Sequence, residues 1–409
     1  MQFALLISVI VALILGAFIL LTHTQSVFKI KSDELISSYD EVNQLLLEMP
    51  ENISYKDTIV EEKGATLTKL HVSYHGLWLK ANAEIIKHGR SVRKTALIGT
   101  ATTPETANLY LCNTNSPLVV VGNTRLEGNV YIPQQGIKAG NISGNYYQGT
   151  SLYYGKEFQS NPNLPELHPE WMKYIKQLIE IPKEVQGAFN QLDNELKNSF
   201  QNPVTYIFNP DPVFISNQKL YGNIIIQSLS SITISAASDI QDVIFVAPKI
   251  KVENGVTGIM QLIATKNLEI GKNCQLRYPS SATLFDTKIV TTANNNPINR
   301  DPDFTVHSNT IIEGALLYLR KDETPISRIK TNVKIEPDTE IKGEVYCEGN
   351  LDVQGIVYGS LYANQFTANQ SGSIYLNHLY NAKVLINPVE EYSGIPFSIT
   401  QKNLAKWLY

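Results

Sequence analysis

Phe214-Ile-Ser, Ile232-Thr-Ile, Ile250-Lys-Val and Leu268-Glu-Ile stand 18 residues apart in the stretch from Phe214 to Phe285. Each opens a short run in which apolar and polar residues alternate, the period-two mark of a half-buried strand. One such unit holds too few apolar residues for a core of its own. A fixed repeat of this length therefore predicts stacked coils that share a core. The expected fold is mainly β: a β-solenoid (β-helix) with about 18 residues per coil. Its central part should occupy 204–290, joined by an N-terminal transmembrane and amphipathic helix, a small antiparallel sheet and a helical insertion.

The spacing returns on both sides. Val333-Lys-Ile and Leu351-Asp-Val are again 18 apart, after the run Ile311-Ile-Glu-Gly-Ala-Leu-Leu-Tyr-Leu. Gly343-Glu-Val-Tyr, Gly355-Ile-Val-Tyr and Gly359-Ser-Leu-Tyr repeat one phrase, which places C-terminal coils over 310–390. Upstream, Gly122-Asn, Gly128-Asn and Gly140-Asn suit corners of short-sided coils. Val119 and Ile137 are 18 apart, so first coils are expected over 109–160, ahead of the rest.

Three interruptions are expected. A helical insertion over 165–200 carries Trp171, Ile175, Leu178 and Ile179, then Val185, Phe189, Leu192 and Leu196, as two amphipathic helices joined near Pro182. A polar excursion loop covers 291–309, with Asp301 and Asp303 as solvated turn residues. A C-terminal cap, 391–409, ends in a short amphipathic helix from Asn403 that lays Trp407, Leu408 and Tyr409 over an open end.

Residues 3–22 form 20 positions without a charge, enough to span a bilayer core, so 1–22 is expected to be an uncleaved anchor in membrane lipid. From His23 to Met49 no Gly or Pro intervenes, and Leu35, Tyr39, Val42, Leu45 and Leu46 recur at helical spacing. Residues 23–50 are therefore expected to be an amphipathic helix that can continue the anchor and pack on its own domain. Lys29 and Lys31 follow the span, and a literal positive-inside count puts the body in the cytoplasm. Asp33 and Glu34 offset that count, and a periplasmic body fits an envelope role; both orientations stay open. Residues 55–100 read as a small antiparallel β-sheet with a hairpin turn at Lys87-His-Gly-Arg90.

The run from Ile341 to Ala363, with Gly343-x-Val345 and Leu351-x-Val353-x-Gly355-x-Val357-x-Gly359-x-Leu361, resembles the repeats of bactofilins, polymer-forming bacterial cytoskeletal proteins with a small β-helix. The resemblance is best over 333–380, and it implies a membrane-tethered scaffold. Family members are commonly shorter, with one uninterrupted core. The N-terminus is also similar to type IV pilins and pseudopilins, although Gln2 stands where that family has Gly and Ile7 where its major subunits carry Glu. That resemblance implies a minor subunit of a secretion or pilus machine.

Chemistry is sparse. Charged residues are 18% of the chain and the net charge is -4, which gives no electrostatic reason to expect a nucleic-acid partner. Cys112, Cys274 and Cys347 are too few and too far apart for a disulfide framework and read as core thiols. His71 and His75 lack a third ligand at suitable spacing, so no metal is expected. A lyase or hydrolase on such a scaffold would align carboxylates on neighbouring coils. Instead Asp239 and Asp242 map onto Thr257 and Met260, Glu253 onto Ser235 and Gly271, and Asp352 onto Lys334. No catalytic residue, cofactor or metal site is expected. The sequence points to a non-enzymatic, single-pass structural or assembly protein of a bacterial inner membrane and cell envelope. Its expected partners are envelope or secretion-type assembly proteins, with self-association and a glycan-active β-helix as alternatives.

Overall fold

The computed structural model describes residues 2–49, 58–180, 193–287, 301–321, 330–370, 372–387, 389, 392–398 and 401–408. The chain is mainly β and divides into two units: Met1–Val72 with Ala81–Thr95, and Ser73–Lys80 with Ala96–Tyr409.

In the first unit α1, Gln2–Leu47, is one unbroken helix of 46 residues, about 69 Å long at 1.5 Å per residue. Its most apolar window has a mean hydropathy of 3.1 and no buried residue, so it is long and apolar enough to cross a membrane. Ser38, Val42 and Leu46 are buried four residues apart, one above the other on a single face. Burying the two aliphatic side chains contributes about 1.5–3 kcal/mol each. Leu35 and Tyr39, expected on that stripe, are 43% and 44% exposed. The face is rotated towards Ser38, whose hydroxyl is satisfied by donating to Glu34 O at 2.8 Å. Lys87 Nζ donates to Glu41 Oε1 at 2.5 Å and Lys94 Nζ to Asn43 Oδ1 at 2.5 Å, fixing the helix to the hairpin beside it.

Strands β1 (Thr58–Lys63), β2 (Thr66–His75), β3 (Trp78–Lys87) and β4 (Arg90–Ala101) follow one another in a single sheet. β1 and β2 pair antiparallel, Lys63 opposite Thr66. The turn at 88–89 is where the sequence puts it: His88 (φ 46°) and Gly89 (φ 76°) both take the left-handed conformation that a two-residue hairpin loop demands.

In the second unit most strands pair parallel in one closed network, with antiparallel pairs at Thr367–Gln370 with Ser373–Leu376 and at Asn141–Ile142 with Asn145–Tyr146. Ile232 pairs with Ile250 and Ile250 with Leu268, so the heads of the central repeats are neighbours in register. From Leu268 the column continues through Phe304, Val333 and Leu351. All six are at most 1% exposed and belong to one core cluster, as the shared-core argument requires.

Several expectations are corrected. The first repeat head is Val213, which pairs with Ile232, while Phe214 is 67% exposed. Leu118, rather than Val119, pairs with Ile137. The polar loop ends early: Phe304–Val306 is a strand, because its two apolar residues bury completely around Thr305 and fill the place between Leu268 and Val333. Positions 291–300 lie outside the described residues. The helical insertion holds one described helix, α2 (Pro169–Ile179). Pro182, Val185, Phe189 and Leu192 lie outside the described residues. Glu195–Asn198, expected as helix, is a strand paired with Lys219–Gly222, and Leu196 packs on the core. Ladder pairing there outweighs helical spacing. Lys402–Leu408 is likewise a strand, with Ala101 N–H donating to Gln401 O at 2.8 Å at its start.

The largest correction concerns order. Leu109 and Tyr110 pair with Leu361 and Tyr362, and Arg125 with Lys383. Strands that come first in sequence therefore pair with the C-terminal strands. Tyr154–Gln159 then pairs with Arg125–Ile132.

Candidate interaction site

A column of aromatic rings is built by this register. Tyr346, Tyr362, Tyr110, Tyr131 and Phe158 are aligned partners on successive strands. Their centroids are 6.3, 6.2, 5.7 and 4.8 Å apart, and the last two steps are stacked. Such contacts contribute about 0.5–1.5 kcal/mol per pair beyond area burial. The column is covered at one end, where Tyr346 is 3% exposed, and open at the other, where Phe158 is 38% exposed.

The cover is the segment leading into α2. Tyr346 hydroxyl donates to Pro165 O at 3.1 Å and Tyr110 hydroxyl to Asn163 O at 3.0 Å. α2 starts with Pro169 in its first turn, where a missing N–H costs nothing, and Glu170 there favours the positive helix end. Trp171 and Ile175 are fully buried, and Trp171 Nε1 donates to Gly76 O at 3.1 Å.

Between α2 and the strands lies a cleft of about 1060 Å³, bordered by Lys173, Lys176, Arg320, Glu166, Glu180 and Glu348 with Tyr346 at its floor. Cations and carboxylates are equal in number around it, so it presents no strong field of either sign to a nucleic acid or a polyanion. Burial pushes the Glu348 carboxyl above its usual range, and the Arg320 N–H that donates to it at 2.7 Å opposes the shift. The cleft offers amides, charges of both signs and a ring: groups that recognise a polar chain by hydrogen bonding.

The residues weighed for chemistry do not converge. His71 bonds Thr58 Oγ1 through Nδ1 at 2.9 Å. His75 is buried against Asp242 O at 2.8 Å, and burial lowers it to about 3, so it stays neutral. Among the described residues no three His, Cys, Asp or Glu side chains gather to hold a metal ion. The three cysteines are free and buried, and burial pushes the thiols of Cys112 and Cys347 up to about 12. That removes the thiolate a nucleophile needs.

The carboxylates are each engaged separately. Asp239 accepts Tyr221 hydroxyl at 2.6 Å, and Asp352 is aligned with Lys334 as the 18-residue mapping predicts. Asp242 is a bulged residue (φ 60°) paired with Lys406 at 2.6 Å, and the slip it causes aligns Val243 with Met260. Asp303, expected in solvent, is 3% exposed and paired with Lys330 at 2.8 Å. Sequence reasoning also passed over Glu344, a buried acid read as an ordinary member of the Gly-x-apolar phrase; its strand, Glu340–Val353, carries other charges, so no local signal sets it apart.

Comparison with known proteins returns nothing: no family model, curated protein or solved structure matches the chain.

Proposed function

We propose that this is a non-enzymatic, single-pass membrane protein that serves as a structural or assembly component of a bacterial cell envelope. The parallel strands are coils of a β-solenoid, and the solenoid presents a rigid, low-charge surface to partner proteins. The observation that carries the reading is α1, one helix whose apolar half is wholly exposed while Val42 and Leu46 are buried in its own unit. The anchor runs without a break into a stub packed within its own unit. The in-register 18-residue steps from Ile232 to Leu268 support the coil reading, since a constant offset between parallel partners is what a coil of fixed length produces.

The deciding experiment is a topology reporter fused after Tyr409, read for cytoplasm against periplasm. A periplasmic C-terminus is the expected result and fits an envelope assembly role. A cytoplasmic one refutes the periplasmic placement and moves the bactofilin-type, membrane-tethered scaffold to the front. The same helix also favours a second reading, a minor pilin-like subunit, because α1 joins a membrane half to a packed half. Cleavage or N-methylation near Phe3, seen by mass spectrometry of the mature chain, supports that reading, and an intact Met1 removes it.

A further inference from the structure

A second cavity, of about 340 Å³, lies over the strands that carry Gly343 and Gly359 and is bordered by Thr102, Asn108, Glu344, Ser360 and Tyr392. Glu344 is the charged group among its described lining residues. It stands in register between Ala315 and Ser360, next to the core residue Val345, and is 3% exposed. Its Oε2 accepts the Ile395 N–H at 2.5 Å, a neutral donor. A Cβ on Gly394 would collide with this carboxyl, so glycine there lets the backbone lie directly on it. Among the described residues no Lys, Arg or His forms an ion pair with Glu344.

We propose that this cavity binds a small organic ammonium ion, of the size of methylammonium or ethanolammonium, which neutralises Glu344. A buried carboxylate without a counter-charge costs several kcal/mol, and either a proton or a cation can remove that cost. The cavity gives a cation room to do so. Ser360 and Thr102 border it with hydroxyls, and Tyr392, whose own proton goes to Gly314 O at 3.0 Å, keeps lone pairs for further N–H groups. The cavity of about 340 Å³ admits an organic ammonium ion, and the single negative charge disfavours anions.

Proton and ligand compete for the same oxygens. Burial raises the Glu344 carboxyl to about 7, with the Ile395 N–H opposing and the Tyr278, Tyr362 and Tyr392 hydroxyls facing it as neutral groups. The carboxyl is mostly protonated at pH 6 and mostly ionised at pH 8, so ammonium affinity rises about tenfold across that interval.

The test is calorimetric titration of the full chain in detergent with methylammonium and ethanolammonium chloride at pH 6 and pH 8, against sodium chloride. Saturable binding is expected, about tenfold tighter at pH 8 and lost in Glu344→Gln. No saturable binding at pH 8, equal affinity at the two pH values, or binding retained by Glu344→Gln overturns the proposal. If Glu344→Gln does not fold, Thr102→Val decides, since it keeps the carboxyl and removes a hydroxyl: weaker binding supports the site and unchanged affinity overturns it.

Discussion

The strands between Ser231 and Ile270 and those between Phe304 and Leu385 belong to one network but hold it differently. The first set keeps an 18-residue step between Ile232, Ile250 and Leu268. The second has irregular steps, with Phe304 paired to Val333 and Ile341 to Val357, and it carries a column of glycines, Gly314, Gly343 and Gly359, in register. Their φ angles are 138°, 147° and 136°. A Cβ on Gly343 would run into Gly314 O, and one on Gly359 into Gly343 O. In the regular set the chain returns to the same place after a constant length. In the irregular set excursions vary the length, and aligned strands approach backbone to backbone at residues that alone permit it.

The contrast can be broken most severely at the glycine column. Gly343→Ala is expected to destabilise by about 4 kcal/mol or more, through a forced φ and a backbone clash. Ser280, aligned with Gly314 at the boundary of the regular set, holds Arg277 O at 2.6 Å and Met260 N–H at 3.1 Å. Ser280→Ala there should lose only about 1–2 kcal/mol. Denaturant unfolding of both variants in detergent measures the difference, and equal losses would dissolve the distinction.

Next in size is the joint between the early and late strands. Leu109→Ala is expected to cost about 2–5 kcal/mol, as a fully buried leucine that leaves a cavity. A double-mutant cycle with its aligned partner Leu361 should return a coupling of about 0.5–3 kcal/mol. Additive losses would contradict the pairing order.

A third measurement separates the two sets by pH. Burial raises Glu344 from 4.5 to about 7 and Asp352 from 3.8 to about 6, and both lie in the irregular set. An acid raised on folding stabilises fully below its unfolded value, and that contribution is lost as pH rises through the folded value. For Glu344 this amounts to about 3 kcal/mol lost between pH 4.5 and 7. Hydrogen exchange should show protection of 340–353 falling over this interval while 231–270 stays level. Glu344→Gln should flatten most of the slope.

The smallest effect belongs to the surface of the regular set. Lys251 and Glu269 are 3.6 Å apart with side chains 55% and 35% exposed. Removing the lysine should change stability by less than about 0.5 kcal/mol, as read from the same denaturation curves.

The same division explains what the amino-acid order revealed. Where the step was constant, Ile232, Ile250 and Leu268 could be aligned by eye, and α1 and the turn at His88-Gly89 were legible because their signals are local. Phe304–Val306 was hidden by the polar run before it, which changed the step. Glu195–Asn198 and Lys402–Leu408 carry apolar spacing compatible with helix or strand, and only a partner strand distant in sequence decides between them. Asp303 and Glu344 could not be recognised as buried from their neighbours, since what buries them comes from other strands: Lys330 for one, the backbone of Gly394 and Ile395 for the other.

Asn108 donates to Gly359 O across 251 residues of chain. A polypeptide made from its N-terminus therefore carries strands Leu109–Leu111 and Arg125–Ile132 without their C-terminal partners, Leu361–Ala363 and Lys383–Val384, for most of its synthesis. Those apolar edges wait for partners that emerge at the end. Assembly of this body is thus a closing step, completed once Ile356–Leu385 has been delivered, and any truncation short of that point leaves the earliest strands exposed to the wrong neighbours.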